Sequence, residues 1–319
     1  MTGRGRRCGL WLRSLGASAM LLALCGQAWA GGSAPAPPAL PSGGVVKSGA
    51  VAVTSSPAAL TVTQSTPKAV IDWSSFSIGA GGQVQFNNGS GATLNRVIGP
   101  AVSSIDGLLS ATGSVYLINP NGVIIGKHGV VQTGGRFVAS TLGLSDSQFL
   151  AGGDLAFSGA SGAAVINLGH VGSLGGDVVL MAATVDNEGV IDAGGGEVGL
   201  LAGYSVTLRD QALDDGKFVI DVGGAATSAT NGGGVEAVQV ELRANGGNVY
   251  ALAGNTGSVI KADGVAAHDG KVFLIAEGGA TIAEIPGALS NTVAGAGAIT
   301  AVAYNHSTTG PEVISGTRP

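Results

Sequence analysis

Beyond residue 30 the chain contains no cysteine, because its two cysteines stand at positions 8 and 25. No disulfide can staple the remainder, and no thiolate can serve there as a nucleophile or metal ligand. Charge is scarce, at 11% of 319 residues, and aromatics reach only 4%. A disordered chain would carry more charge and fewer apolar residues than the 45% found here. Helical periodicity is also missing, since no segment keeps a 3.6-residue apolar repeat over three turns. The nearest approach is one helical turn at Ser145 to Leu150. Proline, with 11 residues, is too rare for collagen. What is abundant is glycine, 57 residues set among Val, Ala, Leu, Ile, Ser and Thr. That mixture fits many short strands joined by tight turns, so an all-β fold is expected.

The apolar run Ala17 to Cys25 follows Arg4, Arg6, Arg7 and Arg13 and precedes Ala28-Trp29-Ala30. A charged start, a short apolar core and an A-x-A site define residues 1–30 as a signal peptide. The run is too short for the roughly 20 residues of a membrane span. Residues 31–44, rich in Pro, Gly, Ser and Ala, read as a flexible leader. Loss of 1–30 removes four of the 15 basic residues and leaves 11 against 20 acidic ones, a net charge of −9. No basic stripe remains to neutralise a phosphate backbone, which excludes nucleic acid as the partner.

Internal repetition decides between all-β architectures. Gly176, Val178, Leu180 and Ala182 recur as Gly196, Val198, Leu200 and Ala202, twenty residues on. The same pattern is read at Gly247, Val249, Ala251 and Ala253, and again at Gly270, Val272, Leu274 and Ala276. A second element keeps the same step, with Asn167-Leu-Gly169 answered by Asn187-Glu-Gly189. Propeller blades repeat near 40 residues and sandwiches do not copy one strand at this interval, whereas a parallel β-helix must. Val178, Leu180 and Ala182 would point inward and stack on their equivalents about 4.8 Å along the axis. Asn167 and Asn187 would meet at matching turns as stacked amides. At 20 to 23 residues per coil, the stretch from Val45 to Ile285 would form about ten to twelve coils.

The stretch from Ala69 to Thr141 is the least repetitive. It holds, in order, Ile71-Asp-Trp73, Phe76-Ser-Ile78, Gln83-Val-Gln-Phe86, Leu94-Asn95-Arg96-Val97, Ser104-Ile105-Asp-Gly107, Asn119-Pro120-Asn121-Gly122 and Ala139-Ser140-Thr141. This ordered set resembles the secretion domain at the N-terminus of filamentous-haemagglutinin-type exoproteins of the two-partner secretion pathway. Asp72 stands where that family more often has Asn, and Asn87-Asn88-Gly89-Ser90 lacks a second Asn-Pro-Asn motif found in one subgroup. The resemblance implies a right-handed parallel β-helix with an N-terminal cap. It assigns residues 45–160 to the secretion domain, 161–290 to further coils of the same solenoid and 291–319 to a C-terminal tail. It also implies recognition by an outer-membrane β-barrel transporter with periplasmic domains, and release to the medium or retention at the outer cell surface. An adhesin or haemagglutinin role toward a host-cell receptor or glycan is carried by the resemblance alone.

Asn119, Pro120, Asn121 and Gly122 are the secretion motif by that resemblance, and by their own chemistry a turn between two strands. Trp73, Phe76, Leu94, Asn95, Arg96, Ser104 and Gly107 are the other family-type positions. Trp73, with Phe76 and Ile78, is expected under the cap, and Arg96 is expected to pair with Asp72 or Asp106. A carbohydrate-active or carbohydrate-binding β-helix exported by the same route is the alternative function. Its chemistry is missing: His128, His170, His268 and His306 lack metal-ligand spacing, and no G-x-S-x-G occurs. Asp214 and Asp215, within Leu208 to Gly234, read as a solvated loop, and Asp263 and Asp269 lack a calcium-repeat context. No enzymatic activity, cofactor or metal is expected.

Overall fold

A computed structural model describes residues 37–213, 216–245, 247–252, 260–262, 271–277 and 299–302. The expected signal peptide, residues 1–30, and Asp214, Asp215, Asp263, Asp269, His268 and His306 lie outside the described residues. The chain enters through β1 (Val45–Ser48) and β2 (Val51–Ser55), which precede β3 (Ala59–Gln64) and β4 (Lys68–Trp73). Both entry strands run antiparallel, β1 on β4 and β2 on β3. These are the edges of the main sheet, and from β3 onward coil stacks on coil in parallel.

Each coil supplies up to three faces. Coil 1 is β3, β4 and a bridge at Ile78. Coil 2 is β5 (Gln83–Asn87), β6 (Ala92–Val97) and β7 (Ser103–Ile105). Coil 3 is β8 (Leu108–Ala111), β9 (Ser114–Ile118) and β10 (Val123–Ile125). Coil 4 holds β11 (Val130–Thr133) and β12 (Phe137–Ser140), then an arm with α1 (Asp146–Ala151) and β13 (Leu155–Ser158), then β14 (Ala164–Asn167). Coil 5 is β15 (His170–Ser173), β16 (Val178–Ala182) and β17 (Thr184–Asn187). In coil 6 one long strand, β18 (Val190–Ala202), serves two faces, and the hairpin β19 (Ser205–Leu213) and β20 (Gly216–Val222) precedes β21 (Ser228–Asn231). Coil 7 is β22 (Gly234–Asn245) and β23 (Asn248–Leu252). Coil 8 is β24 (Ile260–Ala262), β25 (Lys271–Glu277) and β26 (Ile299–Val302).

This is the parallel β-helix with its N-terminal cap, but it has eight coils among the described residues, not ten to twelve. The step is 20 residues from His170 to its partner Val190, yet 40 from Val130 to His170 and 44 from Val190 to Gly234. The surplus is the two arms.

The inward rungs are those expected for Val178, Leu180 and Ala182, which pair in register with Val198, Leu200 and Ala202. The next coil supplies Val240, Leu242 and Ala244, all buried. The copy read at Gly247 to Ala253 is a correction. Asn248 pairs with Ser228, so Val249 belongs to the third face, above Val185 and Ala229. The true coil 7 rung was hidden because Glu241 and Arg243 interleave Val240, Leu242 and Ala244, and Val238 replaces the leading glycine.

A second apolar core explains why β16 is buried at every residue. Val179 and Met181 point outward and join Val138, Leu201, Phe157, Val206 and Phe218 under the arms. The arms form one antiparallel sheet, β13 on β19 and β19 on β20. Phe218 fills the space above Gly199, where a Cβ would lie 2.7 Å from the ring. Helix α1 begins at the N-cap Ser145, whose hydroxyl accepts from the Gln148 amide. Phe149 meets Tyr116 edge-on at 5.2 Å, and Lys68 Nζ donates to the Phe149 carbonyl at 2.6 Å near the helix C-terminus.

Where the third face turns into the first, two polar devices set the coil spacing. Asn167, Asn187 and Asn231 stack in register. Asn167 Nδ2 donates to Asn187 Oδ1 at 2.7 Å, and Asn187 Nδ2 to Asn231 Oδ1 at 2.6 Å. Two residues after each Asn comes a glycine, Gly169, Gly189 and Gly233, and a Cβ on any of them would overlap a backbone oxygen of the coil beneath. The third copy, Asn231-Gly-Gly233, was not read from sequence.

Candidate functional site

Asn119–Gly122 is a turn built into the wall between coils 2 and 3. The Gly122 amide closes it on the Asn119 carbonyl at 3.0 Å, and Gly122 adopts φ +113°, which favours glycine. Asn119 is fully buried. Its Nδ2 donates to the Ala101 carbonyl at 2.9 Å and to Ser103 Oγ at 3.0 Å, and its Oδ1 accepts from the Asn121 amide at 2.9 Å. Asn121 Nδ2 donates to the Gly99 carbonyl at 2.9 Å and to Asn119 Oδ1 at 3.1 Å. From the other side, Ser161 Oγ donates to the Pro120 carbonyl at 2.5 Å. Pro120 and Asn121 reach solvent, while Asn119 and Gly122 do not.

The remaining family-type positions surround the first coils. Trp73 lies in the core, edge-on to Phe76 at 5.7 Å, and Phe76 stacks on Phe86 at 6.5 Å. Trp73 Nε1 donates to Asn95 Oδ1 at 3.0 Å, and Asn95 Nδ2 donates to the Tyr116 carbonyl at 3.3 Å. The cap closes over this group: a Cβ on Gly44 would lie 2.6 Å from the Trp73 ring. Leu94 points outward into the second core. Arg96 pairs with Asp72 at 3.1 Å, but its second partner is Asp146 of α1. Asp106, the other candidate, instead accepts from Ser104 Oγ at 2.9 Å. The Asp146 contact crosses 50 residues of sequence and comes from the arm, so no local pattern announces it. A Cβ on Gly107 would overlap the Gly82 carbonyl oxygen.

Two features were missed. Asn88, in the segment read only as lacking Asn-Pro-Asn, is buried and does at its own corner what Asn119 does at the motif. Its Nδ2 donates to the Ser114 carbonyl at 2.9 Å and its Oδ1 accepts from the Gly113 amide at 2.7 Å. His128 and His170, scattered in sequence, line one groove of about 670 Å³ with Lys127 and Glu188. Among the described residues no group of three or more His, Cys, Asp or Glu is placed to hold a metal ion.

A buried ionic row anchors the second arm. Asp177 Oδ2 accepts from Arg136 Nε at 2.8 Å and from Lys217 Nζ of β20 at 2.9 Å. Burial would raise its pKa, but Arg136 and Lys217 outweigh burial and lower it. Glu241 accepts from the Lys217 amide at 2.6 Å, and its other oxygen lies 2.9 Å from Arg243 Nε as an ion pair without hydrogen-bond geometry. Glu197 has a buried Oε2 with no hydrogen-bond partner. Burial pushes its pKa up to about 7, with Lys217 opposing and Asp177 assisting. A carboxyl raised in the folded state contributes stability below its unfolded pKa, and that stability is lost as pH rises toward about 7. Burial raises Glu241 in the same direction, whereas Asp177 acts oppositely at lower pH. Glu197→Gln is therefore expected to flatten the fall in melting temperature between about pH 5 and 8. Parallel wild-type and variant profiles would refute this.

Comparison with known proteins places this architecture. The TPS secretion domain family profile matches residues 38–299. The chain is 32% identical over 231 residues to a heme/hemopexin-binding protein of Haemophilus influenzae, covering 66% of this chain and 24% of that protein. Another heme/hemopexin-binding protein of Haemophilus influenzae is 46% identical over 78 residues, covering 24% of this chain and 8% of that protein. The chain thus spans a quarter or less of the length of these curated relatives. Among solved structures, the HMW1 secretion domain from Haemophilus influenzae superposes with a TM-score of 0.56 at 28% identity, covering 74% of this chain and 65% of that one. The fold and this match define a secretion domain of two-partner secretion exoproteins. The chain belongs to the TPS secretion domain family, which is not a family of enzymes.

Proposed function

We propose that the coils of residues 45–160 are bound by the periplasmic domains of an outer-membrane β-barrel transporter, which passes the chain to the cell surface or the medium. There it serves attachment to a host-cell receptor or glycan. The observation that carries the reading is the TPS secretion domain match across 38–299, which includes the Asn119 turn. A chain of stacked coils with no cysteine beyond residue 30 suits this route, because each emerging coil has the previous one as its template.

The test is export. The full chain is produced in a Gram-negative host with and without a candidate barrel transporter, and medium is compared with periplasm. Transporter-dependent release of folded protein supports the reading, and equal release without any transporter overturns it. Asn119→Ala is expected to abolish release. It also removes side-chain hydrogen bonds worth roughly 1 kcal/mol each, so its melting temperature is measured alongside. A variant that melts like wild type yet stays in the periplasm separates recognition from folding.

A further inference from the structure

Half of the motif that the secretion reading rests on, Asn119 and Gly122, is buried, so a partner cannot read the Asn119 side chain directly. What the motif holds is exposed. The link from β6 to β7 carries Ile98 at 64% and Val102 at 43% exposure, with Pro100 and Ala101 between them also exposed. Its carbonyls at Gly99 and Ala101 are the acceptors for Asn121 and Asn119. A Cβ on Gly99 would overlap the Ser74 carbonyl, so the link is pressed onto coil 1 from one side and tied by amides from coil 3 on the other. Pro120 reaches solvent from the tying turn itself. No charged residue occurs between Arg96 and Asp106, or from Ser114 to Gly126. Both arms leave the solenoid from this same second-to-third-face corner, in coils 4 and 6. In coils 2 and 3 nothing comparable is inserted, and apolar side chains face water. Isolated exposed apolar residues are ordinary, but an uncharged cluster on a backbone fixed by buried amides has the character of a docking surface.

We infer that the transporter's periplasmic domains grip this chain at the apolar corner formed by Ile98, Pro100, Val102 and Pro120, and that Asn119 and Asn121 are positioning residues holding that corner from behind. This rests on the secretion reading above and names the surface it uses. The partner that fits is an apolar groove rather than a charged one, so binding depends weakly on salt.

The test measures affinity of the full mature chain for the isolated periplasmic part of the transporter that releases it. Wild type is compared with the Ile98→Glu/Val102→Glu double variant and with Val190→Glu, which changes a residue 47% exposed elsewhere on the solenoid. The double variant is expected to bind about tenfold or more weakly and to be released poorly, with an unchanged melting temperature. Val190→Glu is expected to match wild type in both. Wild-type affinity in the double variant overturns the inference while leaving transporter-dependent release intact, as does equal weakening by Val190→Glu. A corner that instead drives self-association, seen as a dimer lost in the double variant, also overturns it. A wild-type chain that does not bind at all removes the secretion reading, and this surface with it.

Discussion

Gly189→Ala is expected to lower stability by about 3 kcal/mol, while Gly234→Ala leaves it unchanged or raises it by under about 1 kcal/mol. Both replace a glycine at the same corner of the solenoid, so composition alone predicts equal effects. At Gly189 the new Cβ would overlap the Gly169 carbonyl oxygen and lie 2.8 Å from the Gly169 amide and 2.9 Å from Asn167 Nδ2. Backbone cannot swing aside as a flexible side chain does, so coils 5 and 6 must part. Parting strains the Val190 amide bond to the Gly169 carbonyl, now 2.8 Å, and the adjoining asparagine stack. At Gly234 nothing lies within 4 Å of the Cβ position, and the backbone is not left-handed. There the alanine only restricts the unfolded chain. Guanidinium unfolding of both variants reads the difference, and equal midpoints would show that the solenoid breathes enough to admit a methyl group between coils.

These glycines show what the sequence made legible. The V-x-L-x-A rungs at Val178 and Val198 and the N-x-G corners at Asn167 and Asn187 repeat because each coil faces the same neighbours above and below. Such local repetition gives the fold directly. What interrupts repetition was not readable in the same way. Most of the arm of β19 and β20 fell inside Leu208 to Gly234, a stretch read as a loop break, and the coil count came out too high. A signal was present, since Val178-Val-Leu-Met-Ala182 is apolar throughout, and a strand buried on both faces needs a cover on each. The second Arg96 partner, Asp146, and the Lys217 anchor lay beyond reach for another reason. Both are contacts between an arm and the solenoid, made across 50 and 40 residues, and neither alters the local pattern around it. The motif turn was legible as a turn, but the outward presentation of Ile98 and Val102 depends on amides from the next coil.

Asn187→Ala is expected to cost about 3 kcal/mol at every pH, and Asn187→Asp to cost as much only when the new carboxyl is ionised. Asn187 is the middle rung, accepting from Asn167 Nδ2 and donating to Asn231 Oδ1 within a buried column. Alanine leaves both neighbours without their partner, and the Asn167 amide keeps only a 3.4 Å contact to the Val190 carbonyl. Aspartate keeps the acceptor for Asn167. Toward Asn231 Oδ1 it offers a proton only in its neutral form. Ionised, it sets oxygen against oxygen at the position where a 2.6 Å hydrogen bond now stands. Burial and that repulsion both raise its folded pKa above the unfolded value of about 3.9. By linkage its stability is near wild type at low pH and falls as pH rises through the folded pKa. Guanidinium midpoints at about pH 4.5 and about pH 7.5 separate the two variants. An Asn187→Asp midpoint that ignores pH would mean that the donor half of the amide does not bridge the coils, leaving backbone pairing and the glycine contacts to set their spacing.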